Sequence, residues 1–579
     1  RGYRIPIPAC RKSYMSLGVK SSVLAAAVLA LAACGGSGGF SGSPGVRVSP
    51  SGIQVLAGST QQMTATASDG GTMFIWQVNG LTGGNVTVGT ISTSGLYTAP
   101  GLPPSGGTVT IGVIEQGMSG AAGSAILNIG YSNASLQNAY VFSLSGGNQG
   151  APWFATGEFT ANGAGQIGSG LQDVNNGTAI QTKAAFTGRY SINPDGSGQL
   201  ALGNLTFELS MQANGGAFLM STSNGTVLAG SLAAQDPSAG SVTALNAPLV
   251  LDAGGQTGTQ GFNQLALIST ASGTSISGFE DINGSAPLSR APFTGSYAFD
   301  GNNHGTLTIK DTTGNRAYSF YVTSASDFVL LSANPAVTAS GNITAQTPGA
   351  YASASLNGPY VFLINGNSAT QSYVQAGQFN PTGLGSLGTV TTDINMPGNI
   401  QTGLSITGTY SFDAGVNGRG TLILNNPGTA APQNFVFYLL SPQLAEFMTI
   451  NSSIAAGGYI VMQTQGSTFN NASLNGAYGF ALGALTTGTT NLSAALGTLT
   501  LDGSGNLGGQ MFQNLNGSVS ARLSLSGSYT LNGRRGTATI TSNGGGSSPF
   551  AIYPLNSGEF LLIGTNAASP YFGIATHQF

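Results

Sequence analysis

At 579 residues the chain is long enough for several domains. Charged residues make up only 6 %, against a usual share of about 25 %, yet 41 % of positions are hydrophobic, with 27 Phe and 19 Tyr, which excludes a disordered chain. The formal charge is −3, but five of the 15 basic residues (Arg1, Arg4, Arg11, Lys12 and Lys20) lie before position 34; beyond it Arg534-Arg535 is the one adjacent basic pair, which excludes the clustered cations that nucleic-acid phosphates require.

Helix formers such as Lys are scarce, and Gly occurs 91 times. Thr, Val, Tyr and Phe fall instead in short runs cut by Gly, Asn and Ser, so an all-β protein is expected.

Met15 is read as the true start, with residues 1–14 as translated upstream sequence or an extended leader. After Lys20 comes the apolar run Val23 to Leu31, too short to span a bilayer as a helix but suited to a signal peptide. It ends in Leu31-Ala32-Ala33-Cys34-Gly35, which resembles the lipobox of bacterial lipoproteins. That resemblance implies removal of residues 1–33 by cleavage between Ala33 and Cys34, and a lipidated Cys34. Two or more acyl chains give a stable anchor. Gly35, rather than Asp, after the Cys implies the outer membrane or cell surface. Cys34 is then the one mature Cys, since Cys10 is lost, and no intramolecular disulfide forms. The Gly/Ser stretch that completes segment 34–45 is a tether with a reach on the order of 20 Å.

Over 46–130, strand-like runs alternate with turns at the spacing of a sandwich. Ala57-Gly58-Ser59-Thr60-Gln61-Gln62, Trp76-Gln77-Val78-Asn79-Gly80 and Gly89-Thr90-Ile91-Ser92-Thr93-Ser94-Gly95-Leu96-Tyr97 resemble a group 2 bacterial immunoglobulin-like domain. The resemblance implies an extracellular spacer or binding module, with Trp76 buried between its sheets.

The remaining chain repeats with units at 134–235, 243–346, 354–465 and 472–578. Ala134-Ser135-Leu136, Ala354-Ser355-Leu356 and Ala472-Ser473-Leu474 open three of them, and the second has lost this start. Phe186-Thr187-Gly188-Arg189-Tyr190 has counterparts ending in Tyr297, Tyr410 and Tyr529, and the units close near Gln235, Gln346, Gln465 and Gln578. In the third unit eight strands are expected, at 359–365, 373–380, 386–393, 402–412, 419–425, 434–440, 444–450 and 458–464, joined by short turns. A chain this poor in charge cannot guard many open sheet edges, so each unit is expected to close into a small eight-stranded barrel and to stand as a separate soluble domain. One large transmembrane barrel ending in Phe579 is the rival.

Chemistry is sparse. Asp173-Val174-Asn175, Asp281-Ile282-Asn283 and Asp393-Ile394-Asn395 hold equivalent places, with Gln513-Asn514 in the fourth unit. The spacing is that of the start of a calcium loop, but no distal Glu follows, and a hairpin turn is the preferred reading. Glu280 with Asp281, or Glu158 with Asp173, are the candidate acid pairs; adjacent strand residues face opposite sides, and neither pair recurs in full. His304 and His577 stand apart and support neither a metal site nor a triad. Trp153 is a hydrophobic plug or a glycan-stacking platform. No catalytic residue, cofactor or metal ligand is assigned, and the expectation is a non-enzymatic surface protein for adhesion or interaction with a protein or glycan. A carrier of small apolar ligands inside the barrels is the alternative, and an undetected enzyme a remote one. Filled, dry barrel interiors are expected.

Overall fold

The computed structural model describes residues 45–117, 121–246, 248–367, 372–396, 398–426, 431–450, 454–463, 468–485, 492–566 and 571–579. Met15, Ala33, Cys34 and the rest of the leader and tether up to residue 44 therefore lie outside the described residues, as does Gln465. The protein is all-β and falls into two compact units, the chain dividing between Ile129 and Gly130.

In the first unit, Val46–Ser49 pairs with Thr64–Ala67. A five-stranded sheet runs Gln54–Leu56, Ala122–Gly130, Thr108–Glu115, Phe74–Val78, Leu81–Thr82, and a four-stranded one runs Thr60–Gln62, Leu96–Thr98, Gly89–Ile91, Gly84–Asn85. Trp76 is buried in the core they share. Gly95, at φ +80°, lies against it: a Cβ there would come within 2.8 Å of the Trp76 ring, so the turn before Leu96 tolerates no side chain.

The second unit holds four closed antiparallel barrels of eight strands each. They run from Gln137 to Ala234, Leu249 to Ala345, Tyr360 to Met462 and Asn475 to His577. In the third, the strands are Tyr360–Asn367, Ser372–Phe379, Ser386–Met396, Asn399–Phe412, Arg419–Asn425, Gln433–Ser441, Leu444–Thr449 and Ala455–Met462, paired in chain order and closed by the first with the last. Closure gives every strand two neighbours and leaves no edge to guard. The repeated Tyr explains the repeated opening. Tyr190, Tyr410 and Tyr529 donate to the carbonyls of Leu136 (2.6 Å), Leu356 (3.2 Å) and Leu474 (2.8 Å), pinning a short 3₁₀ turn across one barrel end. The second unit lacks that opening, and its Tyr297 reaches the carbonyl of Gly273 at 3.4 Å.

Period-two alternation divides each barrel wall into two apolar faces. The inward set fills the barrel, as Phe362, Phe379, Phe435, Phe437 and Phe447 do in the third. Where the barrels pack on one another the outward set is also buried, whereas along strands such as Asn399–Phe412 it faces solvent. Phe154, Phe218, Val361, Val374, Leu561 and Phe572, drawn from the first, third and fourth barrels, share one cluster. The four repeats are thus individually closed yet form one compact unit, rather than standing apart as the sequence suggested or merging into a single large barrel.

Candidate functional site

The Asp-x-Asn positions lie inside strands, not in turns, and each reaches into the next barrel. Opposite Asp173, Asp281 and Asp393 the strand register slips by a bulge. The bulge turns a backbone N–H toward each carboxylate, from Lys183 (2.7 Å), Arg290 (3.0 Å) and Gly403 (2.8 Å), all at positive φ. The carboxylates then meet a cation and a tyrosine from the following barrel. Asp281 receives Arg419 through Nε and Nη2, both at 2.7 Å, and the Tyr438 hydroxyl at 2.6 Å. Asp393 receives Arg535 in the same fork (2.7 and 2.6 Å) and the Tyr553 hydroxyl. Asp173 meets His304 Nε2 at 2.9 Å and the Tyr321 hydroxyl at 3.2 Å. Burial and the neighbouring carboxylate push all three tyrosines well above the ordinary phenol range.

His304 is 2 % exposed, and its Nδ1 faces Asp300 at 2.8 Å while Nε2 faces Asp173. Both ring nitrogens donate only in the imidazolium form. Burial opposes that charge, but the two carboxylates outweigh it and raise the His304 pKa.

A second ion pair of opposite polarity borders two of these joints: Lys183 with Asp300 at 3.1 Å and Arg290 with Asp413 at 3.2 Å. Gly403 stands at that place in the third barrel and supplies no such cation. At the fourth joint the chain closes on itself. Phe512 replaces the carboxylate there, and Ser197 and Ser210 replace the cation and tyrosine. The outer pair remains: Arg522 reaches Asp195 at 3.1 Å and Ser197 at 2.8 Å, with its guanidinium 5.9 Å from the Phe512 ring centre.

Two amides recur at all four joints. Asn175, Asn283, Asn395 and Asn514 donate through Nδ2 to carbonyls of the next barrel, Asn514 to Ser221 (2.7 Å) and Thr226 (2.8 Å) of the first. Gln235, Gln346, Gln463 and Gln578 do likewise, to Val322, Leu439, Pro554 and Met211. Gln463 is therefore the third repeat's counterpart of this glutamine, in place of Gln465.

No protein-family model matches the chain, and no curated protein is similar to it. The geometry alone carries the reading of these residues. Glu280 points into the second barrel, bound to Arg316 and Gln264 at 2.6 Å each, while Asp281 points out, so the two carboxylates occupy different environments. Burial pushes Glu280 up to about 7 against the pull of Arg316. Glu158 binds Asn303 of the second barrel at 3.0 Å. The His577 ring lies against that of Tyr478, 4.3 Å between centres and inclined by 54°. Among the described residues no cluster of three or more His, Cys, Asp or Glu is placed to hold a metal ion.

Trp153 is half-buried at one end of the first barrel, on the same side of its strand as Ala155 and Phe159. Strand register gives it counterparts that sequence comparison missed: Phe262 and Tyr373, each opposite a glycine of the neighbouring strand as Trp153 is opposite Gly146. In the fourth barrel this place holds Ser493. There the described residues leave a cavity of about 120 Å³ between Phe480, Leu482, Met511, Leu525, Ile540 and Phe550, with Gln513 and Tyr571 on its wall.

Proposed function

We propose that the chain is a lipid-anchored, non-catalytic bacterial surface protein whose four-barrel unit is a rigid platform for adhesion or another interaction with a protein or glycan. The observation that carries this reading is the closure of the barrels into a cycle, in which the fourth returns to the first through Asn514 and Gln578. The repeated carboxylates are committed to holding barrels together, each bound by a cation, a hydroxyl and an amide, so their recurrence has a structural cause. A rigid scaffold leaves recognition to loops. The lipobox-like segment at Cys34 supplies the anchor, outer-membrane or surface location follows from Gly35, and the immunoglobulin-like resemblance of 46–130 suits a spacer.

The test is expression in a double-membraned bacterium. Fatty-acid label should enter the parent and not Cys34→Ser, and intact cells should expose the parent to added protease. Label retained by the variant refutes the anchor. Turnover, rather than retention, of glycans or peptides presented to the purified protein refutes the non-catalytic reading.

A further inference from the structure

The cavity in the fourth barrel breaks a pattern kept in the second and third; the first has Ala155 and Leu205 at the plug positions but keeps an aromatic ring, Trp153, beside them. Near this end of the interior, the second barrel places Gln264 and Arg316, which with Glu280 and Tyr318 form a closed polar network. The third barrel places Gln375 and Gln433 at the same register positions, joined through the Tyr373 hydroxyl, with Thr392 accepting from Gln375. The fourth has Ala495 and Ser548 there, and Ser493 in place of the aromatic ring. Only Tyr571 grows inward, where the other barrels have Leu228, Ala339 and Ala456. The plug is cut away and the space is left.

We propose that this cavity binds a neutral, single-ring, oxygen-bearing molecule. Its size is close to that of an engineered cavity of about 150 Å³ that takes benzene. No charged side chain lines it, so an ion entering would lose its hydration without a partner. Its polar lining is neutral, made of Ser542, Ser548 and the Gln513–Tyr571 pair: Gln513 Nε2 donates to the Tyr571 hydroxyl at 2.6 Å, and a hydroxyl that accepts still has its own proton to give. A hollow walled by Phe480, Leu482, Leu525, Ile540 and Phe550 on one side and by these few neutral hydroxyls and one amide on the other selects a ring that carries an oxygen. Gly545 and Gly546, at the turn between the strands Arg535–Ser542 and Gly546–Asn556, border it without side chains. This inference does not depend on the surface-platform reading.

Phenol and toluene, equal in shape, are the probes, titrated into the full chain by ligand-observed NMR. Phenol should bind one to one with a Kd below about 1 mM, a reachable affinity for so small a ligand, and more tightly than toluene. Ala495→Gln with Ser548→Gln, which imports the third barrel's plug, should weaken phenol at least tenfold with the β-type circular dichroism unchanged. Tyr571→Phe should erase the preference for phenol over toluene. No saturable phenol binding, or binding that survives the double substitution in a folded protein, overturns the proposal. If the double variant does not fold, Tyr571→Phe decides: a preference that persists overturns the assignment.

Discussion

The joint between the second and third barrels offers a quantitative test, because the fourth joint shows how the same place is built without charge. Asp281 is fully buried and accepts four hydrogen bonds, two from Arg419 and one each from the Tyr438 hydroxyl and the Arg290 amide. Arg419→Ser removes the cation and half of those bonds while the carboxylate stays in place. Breaking a buried pair from one side costs about 3–5 kcal/mol, because the remaining charge is stranded. Replacing the whole group by apolar atoms is often neutral. Asp281→Phe with Arg419→Ser and Tyr438→Ser copies the natural set Phe512, Ser197 and Ser210. Guanidinium unfolding should therefore show a loss of about 3–5 kcal/mol for Arg419→Ser and recovery of most of it in the triple variant. The reasoning is refuted if Arg419→Ser costs under about 1 kcal/mol, or if the triple variant is no more stable than the single.

His304 makes the first joint sensitive to pH where its Arg counterparts are not. Its folded pKa is raised above the ordinary value, so its contribution is complete below about pH 6.5 and is lost as pH rises through the folded pKa, at up to about 1.4 kcal/mol per pH unit. Asp173 and Asp300, both lowered by their bonds to His304 against the effect of burial, add stability above about pH 4 that is lost on acidification through their folded values. Unfolding measured from pH 6 to 9 should show the alkaline loss in the parent and a flatter profile in His304→Arg; equal profiles refute the assignment. The fragment 472–578, cut from the unit, exposes Leu492, Leu496, Leu561, Ile563, Phe572 and Ile574 on its outer wall. It should keep β-type circular dichroism but self-associate in sedimentation, whereas a monodisperse monomer would restore the separate-domain reading.

The barrels were legible because each is local. Eight strands joined by short turns repeat their own Tyr, Gly and aromatic runs, and charge scarcity argues for closure within a single copy. The joints were not legible, because each is split between copies. Asp173 and His304 are 131 positions apart, Asp281 and Arg419 138, and Asp393 and Arg535 142. Within one repeat the Asp has no visible partner, so Asp-x-Asn reads as a turn. A signal was present: comparing each copy's carboxylate with the next copy's cation gives Asp173/His304, Asp281/Arg419, Asp393/Arg535 and Phe512/Ser197. The one repeat without an acid precedes, in a cycle, the one repeat without a base. Trp153 was hidden in the same way, since Phe262 and Tyr373 share its register but not its local sequence.

That cyclic offset bears on how so apolar a chain stays in one assembly. A linear array of repeats ends in two exposed faces and requires polar caps. Here the outward face of the fourth barrel is covered by the first, so no repeat is terminal. This is also the joint without a linker, since its two barrels are the first and the last of the unit. The two ends of the four-barrel unit meet there: the Tyr131 hydroxyl donates to the backbone carbonyl of Gln578, the ring of Phe579 sits 5.4 Å from that of Tyr131, and the Ala213 amide donates to the carbonyl of His577. Three joints between consecutive barrels carry a buried carboxylate with a forked or bridging cation. The closing joint, which forms only when both ends are present, uses Phe512, two serines and the half-exposed Arg522–Asp195 pair. An apolar contact is tolerant of approach angle, whereas a bidentate pair is not. The joint that must find its partner across the whole unit is thus the one with the least demanding geometry.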